Sequence, residues 1–215
     1  WVSALSALPL SFSYIIRPTG AISAAVTGLL GTVKSRRFCL AYILFSSLVI
    51  APFVLFNLDY FGRLIPSYYN TSRLTFGPTM PEALLANLFS PSRGLFIFCM
   101  FLLPPLFCLR LSKWREMPSF IHVALIITAL NWIAVSAFPN WWGGHAFGPR
   151  YMTDVVPLLV IVSAWIVQAS ARKKLLLPFI IALGFMNFVN HYQGATSQQL
   201  WGWNIEGTNI DNQPE

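Results

Sequence analysis

Charge is what this sequence has least of. Asp, Glu, Lys and Arg together make up 10% of the chain, against about a quarter in soluble domains, and that shortage excludes an ordinary water-facing globular surface. Acid is scarcer than base, with 7 Asp and Glu against 14 Lys and Arg. No carboxylate pair, Cys/His nucleophile arrangement, phosphate-loop motif or zinc signature is present. The 3 cysteines, Cys39, Cys99 and Cys108, all sit inside apolar runs. There they read as small buried hydrophobes, not as a disulfide framework or a thiolate metal site. No internal repeat or low-complexity tract appears. The chain opens on Trp1, inside an apolar run and without a signal-peptide n-region. We expect it to be a piece of a longer protein, with part of any active site upstream.

What the sequence does have is hydrophobicity. Apolar residues reach 56% and mean hydropathy is +0.62, which points to a polytopic membrane protein. The net charge of +7 is dispersed in short clusters between apolar runs, so nucleic acid is not the expected partner. Apolar stretches at about 38–56, 94–110, 119–138, 155–171 and 175–191 each approach the ~17 to 25 residues a helix needs to cross the hydrocarbon. Residues 1–33 are interrupted by Arg17-Pro18-Thr19-Gly20. One continuous helix would hold Arg17 at mid-membrane, at ~2.5 to 3.5 kcal/mol, and would lose backbone bonds at Pro18. Two short helices meeting at Arg17 are therefore expected. The predicted fold is an all-α, polytopic transmembrane bundle of about five spans plus a short N-terminal helix pair. It covers residues 1–191, with external loops at 57–93 and 139–153, and is followed by a polar extracytoplasmic tail, 192–215.

Orientation follows from the basic residues of short loops. Lys34, Arg36 and Arg37, then Arg110, Lys113 and Arg115, then Arg172, Lys173 and Lys174 fall on one side, which makes loops 34–37, 110–115 and 172–174 cytoplasmic. Arg17, loop 57–93, loop 139–153 and the tail fall on the other.

On that outer side, Ser90-Pro91-Ser92-Arg93 reads as a cap followed by an N1 proline. Thr153 reads as a cap for the 155–171 span, and Arg17-Pro18 opens a further helix in the same direction. Three helix starts, each beside an arginine, form a candidate rim for phosphate, because free N–H groups, the helix dipole and bidentate guanidinium donors all favour an anion. The plainer alternative is that Arg17, Arg93 and Arg150 snorkel to lipid headgroups. Trp141 and Trp142 read either as members of the interfacial aromatic belt or as a platform for a sugar ring or prenyl chain. His145 is a candidate acid/base group or a plain loop residue. Asp59 and Asp154 are weak catalytic candidates, and Asp154 lies close enough to Arg150 in sequence for a structural ion pair. Glu82, followed by Leu84, Leu85, Leu88 and Phe89, predicts a short amphipathic helix on the membrane surface.

Trp142-Gly143-Gly144-His145-Ala146-Phe147-Gly148-Pro149-Arg150-Tyr151 resembles the W-G-G-x-x-x-G-P-R-Y signature of bacterial polytopic glycosyltransferase-like proteins. Leu88-Phe89-Ser90-Pro91-Ser92-Arg93-Gly94-Leu95 is similar to their L-F-S-P-x-R-G-L segment, and Arg17-Pro18-Thr19 to their R-P-T corner. These belong with the protein O-mannosyltransferase and lipid A aminoarabinose transferase relatives of the GT-C superfamily, and the likeness runs from about residue 1 to 191. It implies transfer of a sugar from a polyprenyl-phosphate donor at the outer face of a bacterial cytoplasmic membrane. No cofactor is implied, and a divalent metal is permitted but not indicated. Arg17, Arg93 and Arg150 would then hold the donor phosphate, with Trp141, Trp142, His145 and Tyr151 lining the pocket. The acidic motif that such proteins carry in their first large external loop has no counterpart here. The competing class is a non-enzymatic membrane protein, either a transporter of lipid-linked oligosaccharide or an assembly subunit.

Overall fold

The computed structural model describes residues 2–69, 74, 76–108, 116–144, 146–170 and 173–197. His145, the basic residues Arg110, Lys113, Arg115 and Arg172, and the tail from residue 198 lie outside the described residues. Among the described residues all regular structure is helical. The chain divides into two compact units, Trp1–Leu74 and Thr75–Glu215.

In the first unit, α1 (Ala7–Ile16) and α2 (Gly20–Lys34) pack on each other and on α3 (Arg36–Phe61). The expected division falls at Arg17, whose backbone is extended (φ −144°, ψ 132°) while its N–H still closes α1 on Ser13 O at 2.9 Å. Pro18 has no N–H with which to continue α1. The helices approach closely at Gly20, where a Cβ would stand 2.6 Å from the Ser13 backbone. Tyr42 on α3 donates to Ala24 O on α2 at 2.8 Å. The rings of Tyr14, Phe53 and Tyr69 pack together, and the Tyr69 hydroxyl donates to Ile15 O.

In the second unit, α4 (Met80–Phe89) buries Ala83, Ala86 and Asn87 and leaves Glu82, Leu85 and Phe89 exposed. Its small residues let it lie close against α7 (Ser119–Ser136), where Asn87 Nδ2 donates to Ser136 Oγ at 3.0 Å and Trp132 Nε1 to Leu84 O at 3.0 Å. α7 packs on α8 (Val156–Ala169). One apolar cluster gathers Leu95, Leu102, Val135, Met152, Val155 and Leu159, and a second gathers Met117, Ile121, Ala124, Val162 and Ile166. α9 (Lys173–Thr196) runs along the segment that follows Arg93.

α3, α7 and Lys174–Thr196 of α9 are long and apolar enough to cross a membrane. Large apolar side chains stay exposed along α3 and α9, among them Leu44, Leu48, Leu55, Phe179, Ile181 and Phe185. A surface of that kind suits lipid rather than water.

The other two expected spans take a different form. Residues 94–110 do not make one helix. α5 (Leu95–Phe98) stops at Cys99 (φ −135°, ψ 51°), a 3₁₀ turn covers Met100–Leu102, and α6 (Leu103–Phe107) follows. Pro104 and Pro105 supply no N–H to the carbonyls one turn back, which is why a continuous α-helix fails there. α8 is 14 residues long and is entered by a 3₁₀ turn, Thr153–Val155. Nor do the two expected caps act as caps. Ser90 is the C-cap of α4, and Gly94 begins α5 without a side-chain cap. The Thr153 hydroxyl donates to Arg150 O at 2.7 Å, and Val155 opens α8.

Candidate functional site

The site grows from a glycine loop and the turn that ends α4. Turns and bends follow one another through 139–144 and 146–152, and Gly143, Gly144 and Gly148 all take left-handed backbone angles (φ 77°, 68° and 79°). Only glycine enters that region without a Cβ penalty. Gly143 N bonds to Asn140 O at 3.0 Å, and Ala146 N to Gly144 O at 2.9 Å. The carbonyls of Gly143 and Ala146 are then taken up by side chains. Arg150 Nη1 donates to Gly143 O at 3.2 Å, and Arg93 Nη1 donates to Ala146 O.

The two arginines differ in setting. Arg150 is exposed. Arg93 is only 1% exposed, and its Nε and Nη2 are buried with no hydrogen-bond partner among the described residues. Among the described residues it has no carboxylate partner. Desolvation pulls its guanidinium below the ordinary value, although arginine remains cationic. Nε and Nη2 form one edge of the guanidinium plane, and that edge presents two parallel N–H groups to a carboxylate or phosphate. A buried cation with that edge unfilled is costly, and a bound anion offsets the cost.

The aromatic candidates divide in the same way. Trp141 is 3% exposed and packs against Ala83 and Ala86 of α4. Trp142 stands edge-on to it with centroids 5.8 Å apart, is half-buried, and has its Nε1 buried without a partner among the described residues. Tyr151 packs its ring near Phe138, and a Cβ on Gly143 would lie 3.5 Å from it. Asp154 is exposed in the turn Thr153–Val155. Arg17, half-buried at the α1–α2 corner, and Asp59, exposed near the end of α3, belong to the first unit. Among the described residues no group of three His, Cys, Asp or Glu is arranged to hold a metal ion.

Sequence reasoning missed the contribution of α9. Asn187 Nδ2 donates to Ile97 O at 3.2 Å, and its Oδ1 accepts from Phe101 N at 3.4 Å. His191 Nε2 lies 3.0 Å from Phe98 O, which only accepts, so this nitrogen carries the proton. At Gly194, a Cβ would stand 2.2 Å from Phe147 of the glycine loop, and Phe147 in turn meets the Phe98 ring edge-on at 5.1 Å. The available signal was the spacing 187, 191 and 194 on one face of a long, mainly apolar helix.

Compared with known proteins, the chain matches no family model, no curated protein and no solved structure.

Proposed function

We propose that the chain is part of a multi-pass membrane glycosyltransferase of the GT-C type that binds a polyprenyl-phosphate-linked sugar at the outer face of a bacterial inner membrane. In this proposal all five apolar stretches lie within the membrane. The broken segment at 94–110 is tolerated there because protein groups satisfy its backbone. Loops 34–37, 110–115 and 172–174 face the cytoplasm, as their basic residues argue.

Arg93 carries the proposal. It is a fully buried cation that spends one donor on the glycine loop and leaves a two-donor edge open. When the bond from the anomeric carbon to the donor phosphate breaks, negative charge grows on the phosphate oxygens, and a desolvated guanidinium already in position stabilises it without reorganising. Arg150 adds positive charge at the exposed side of the same loop, and the half-buried Trp142 offers an indole N–H and a ring face to the sugar or prenyl chain. The proton of the acceptor goes to a general base, which the family likeness assigns to an acidic motif that this sequence does not contain.

A transporter remains the second reading, favoured by the helix break at Cys99, since transporters coordinate substrates at unwound helices near the bilayer midplane. Against it, Ile97 O, Phe98 O and Phe101 N at the break are already taken by Asn187 and His191. The test is binding of undecaprenyl phosphate, and transfer from polyprenyl-phosphate sugars, by the intact protein carrying Arg93→Ala or Arg150→Ala. Losing charge-assisted bonds at Arg93 should weaken binding by roughly 10- to 100-fold. Unchanged affinity in the Arg93 variant would sink the proposal. Movement of the lipid across the bilayer without sugar transfer would favour the transporter.

A further inference from the structure

We infer that one face of α9, formed by Asn187, His191 and Gly194, positions the anion site by fixing both the backbone that follows Arg93 and the loop that Arg93 holds. This inference rests on the proposed role of Arg93.

In a continuous helix the Phe101 N–H would bond to the Ile97 carbonyl. Here the Asn187 carboxamide stands between them, donating to one and accepting from the other. A single buried side chain from α9 thus replaces one rung of the backbone ladder. One turn along, His191 takes the Phe98 carbonyl, which the 3₁₀ turn at Met100–Leu102 leaves without its helical donor. Unsatisfied backbone groups are costly inside a bilayer, so the two side chains hold the break in one geometry. The break begins within a few residues of Arg93, and Arg93 is too buried to adjust independently of its backbone.

The same face reaches the other half of the site. The bare Cα of Gly194 admits the Phe147 ring, Phe147 packs on Phe98, and Phe98 also fills the space beside Gly148, where a Cβ would lie 2.9 Å from the ring. α9 is thereby registered against the two stretches that Arg93 joins. Asn187, His191 and Gly194 touch no reacting atom in this scheme and act through Arg93 and the loop, as positioning residues.

The experiment measures undecaprenyl phosphate affinity of the full chain in nanodiscs, with thermal unfolding followed in parallel. Asn187→Leu keeps the bulk and removes both hydrogen bonds. It should weaken binding by roughly 10- to 100-fold, as ångström-scale misplacement does, while the protein stays folded at the assay temperature. In an Arg93→Ala background the same substitution should have no further effect, because its action passes through Arg93. Gly194→Ala, which forces Phe147 aside, should also weaken binding, and Gly194→Ala combined with Phe147→Leu should match Phe147→Leu alone. If the wild type does not bind, or Arg93→Ala binds normally, the function proposed above fails and this inference fails with it. If Arg93 matters and both the Asn187 and Gly194 variants bind normally, the inference alone is overturned. Should Asn187→Leu not fold, the Gly194 and Phe147 cycle decides.

Discussion

The Arg93 side chain and the Ala146 carbonyl join two stretches 53 residues apart with a single bond, and that bond uses only one corner of a buried guanidinium. Removing such a cation relieves a desolvation cost that the rest of the fold absorbs, and apolar replacements of buried charges are often neutral or stabilising. We expect Arg93→Met, which preserves length and bulk, to leave the unfolding midpoint unchanged or to raise it by a few degrees, about 2 to 4 °C for each kcal/mol in a chain of this size. The same variant should lose affinity for undecaprenyl phosphate. Stability and function would then move in opposite directions, as they do where a strained site is kept for activity. Thermal unfolding of purified protein checks this. A midpoint lowered by more than ~5 °C would make Arg93 a structural tie to the loop instead of an anion site.

The glycine loop makes a graded prediction. Gly144 and Gly148 share left-handed backbones (φ 68° and 79°), but a Cβ on Gly144 meets nothing within 4 Å, whereas one on Gly148 lies 2.9 Å from the Phe98 ring. Gly144→Ala should cost only the backbone conformation, about 1–2 kcal/mol, and Gly144→Asn less, since asparagine tolerates this region. Gly148→Ala adds a ring displacement of overpacking size, about 1–3 kcal/mol more. Denaturation midpoints should therefore fall in the order Gly144→Asn, Gly144→Ala, Gly148→Ala. Equal effects at the two positions would show that Phe98 yields freely and does not brace the loop.

Hydrophobic length made part of this fold legible. The runs that became α3, α7 and α9 stand out because each is long and apolar enough to cross a membrane. Arg17-Pro18 announced the division of α1 from α2 because a proline beside a charge is hostile to a buried helix. The break within the 94–110 stretch was not legible, because hydropathy counts side chains and says nothing of backbone bonds. Pro104-Pro105 carried the warning, but the partner that makes the break tolerable, Asn187, lies 86 residues from Phe101. Ser90 and Thr153 had the right composition for N-caps and the wrong neighbours. A Ser-Pro pair after an apolar run fits the end of one helix as well as the start of the next, and here it ends α4. Arg93 and Arg150 were visible as an excess of cation near aromatic residues. That one is buried and the other exposed follows from packing, which sequence does not display.

The paired tryptophans give the last prediction, because adjacent residues of one type occupy unlike surroundings. Trp141 is buried against Ala83 and Ala86, small residues whose size leaves room for the indole. Trp141→Ala opens a cavity that the helix α4 backbone is too rigid to fill, and the cost should be about 3–5 kcal/mol. α4 is held to α7 by Asn87 and Trp132, so loosening it also disturbs the turn that delivers Arg93. Trp142 is half-buried, and its Nε1 makes no bond among the described residues. Trp142→Phe keeps most of the apolar contact and removes that donor, so it should leave the unfolding midpoint nearly unchanged and weaken binding of a polyprenyl-phosphate sugar by a few-fold, the worth of one hydrogen bond of about 1 kcal/mol. Unfolding curves and binding titrations on the two single variants separate these roles. If Trp142→Phe lowers stability as much as Trp141→Ala and leaves binding intact, the second indole belongs to the packing and contributes nothing to recognition.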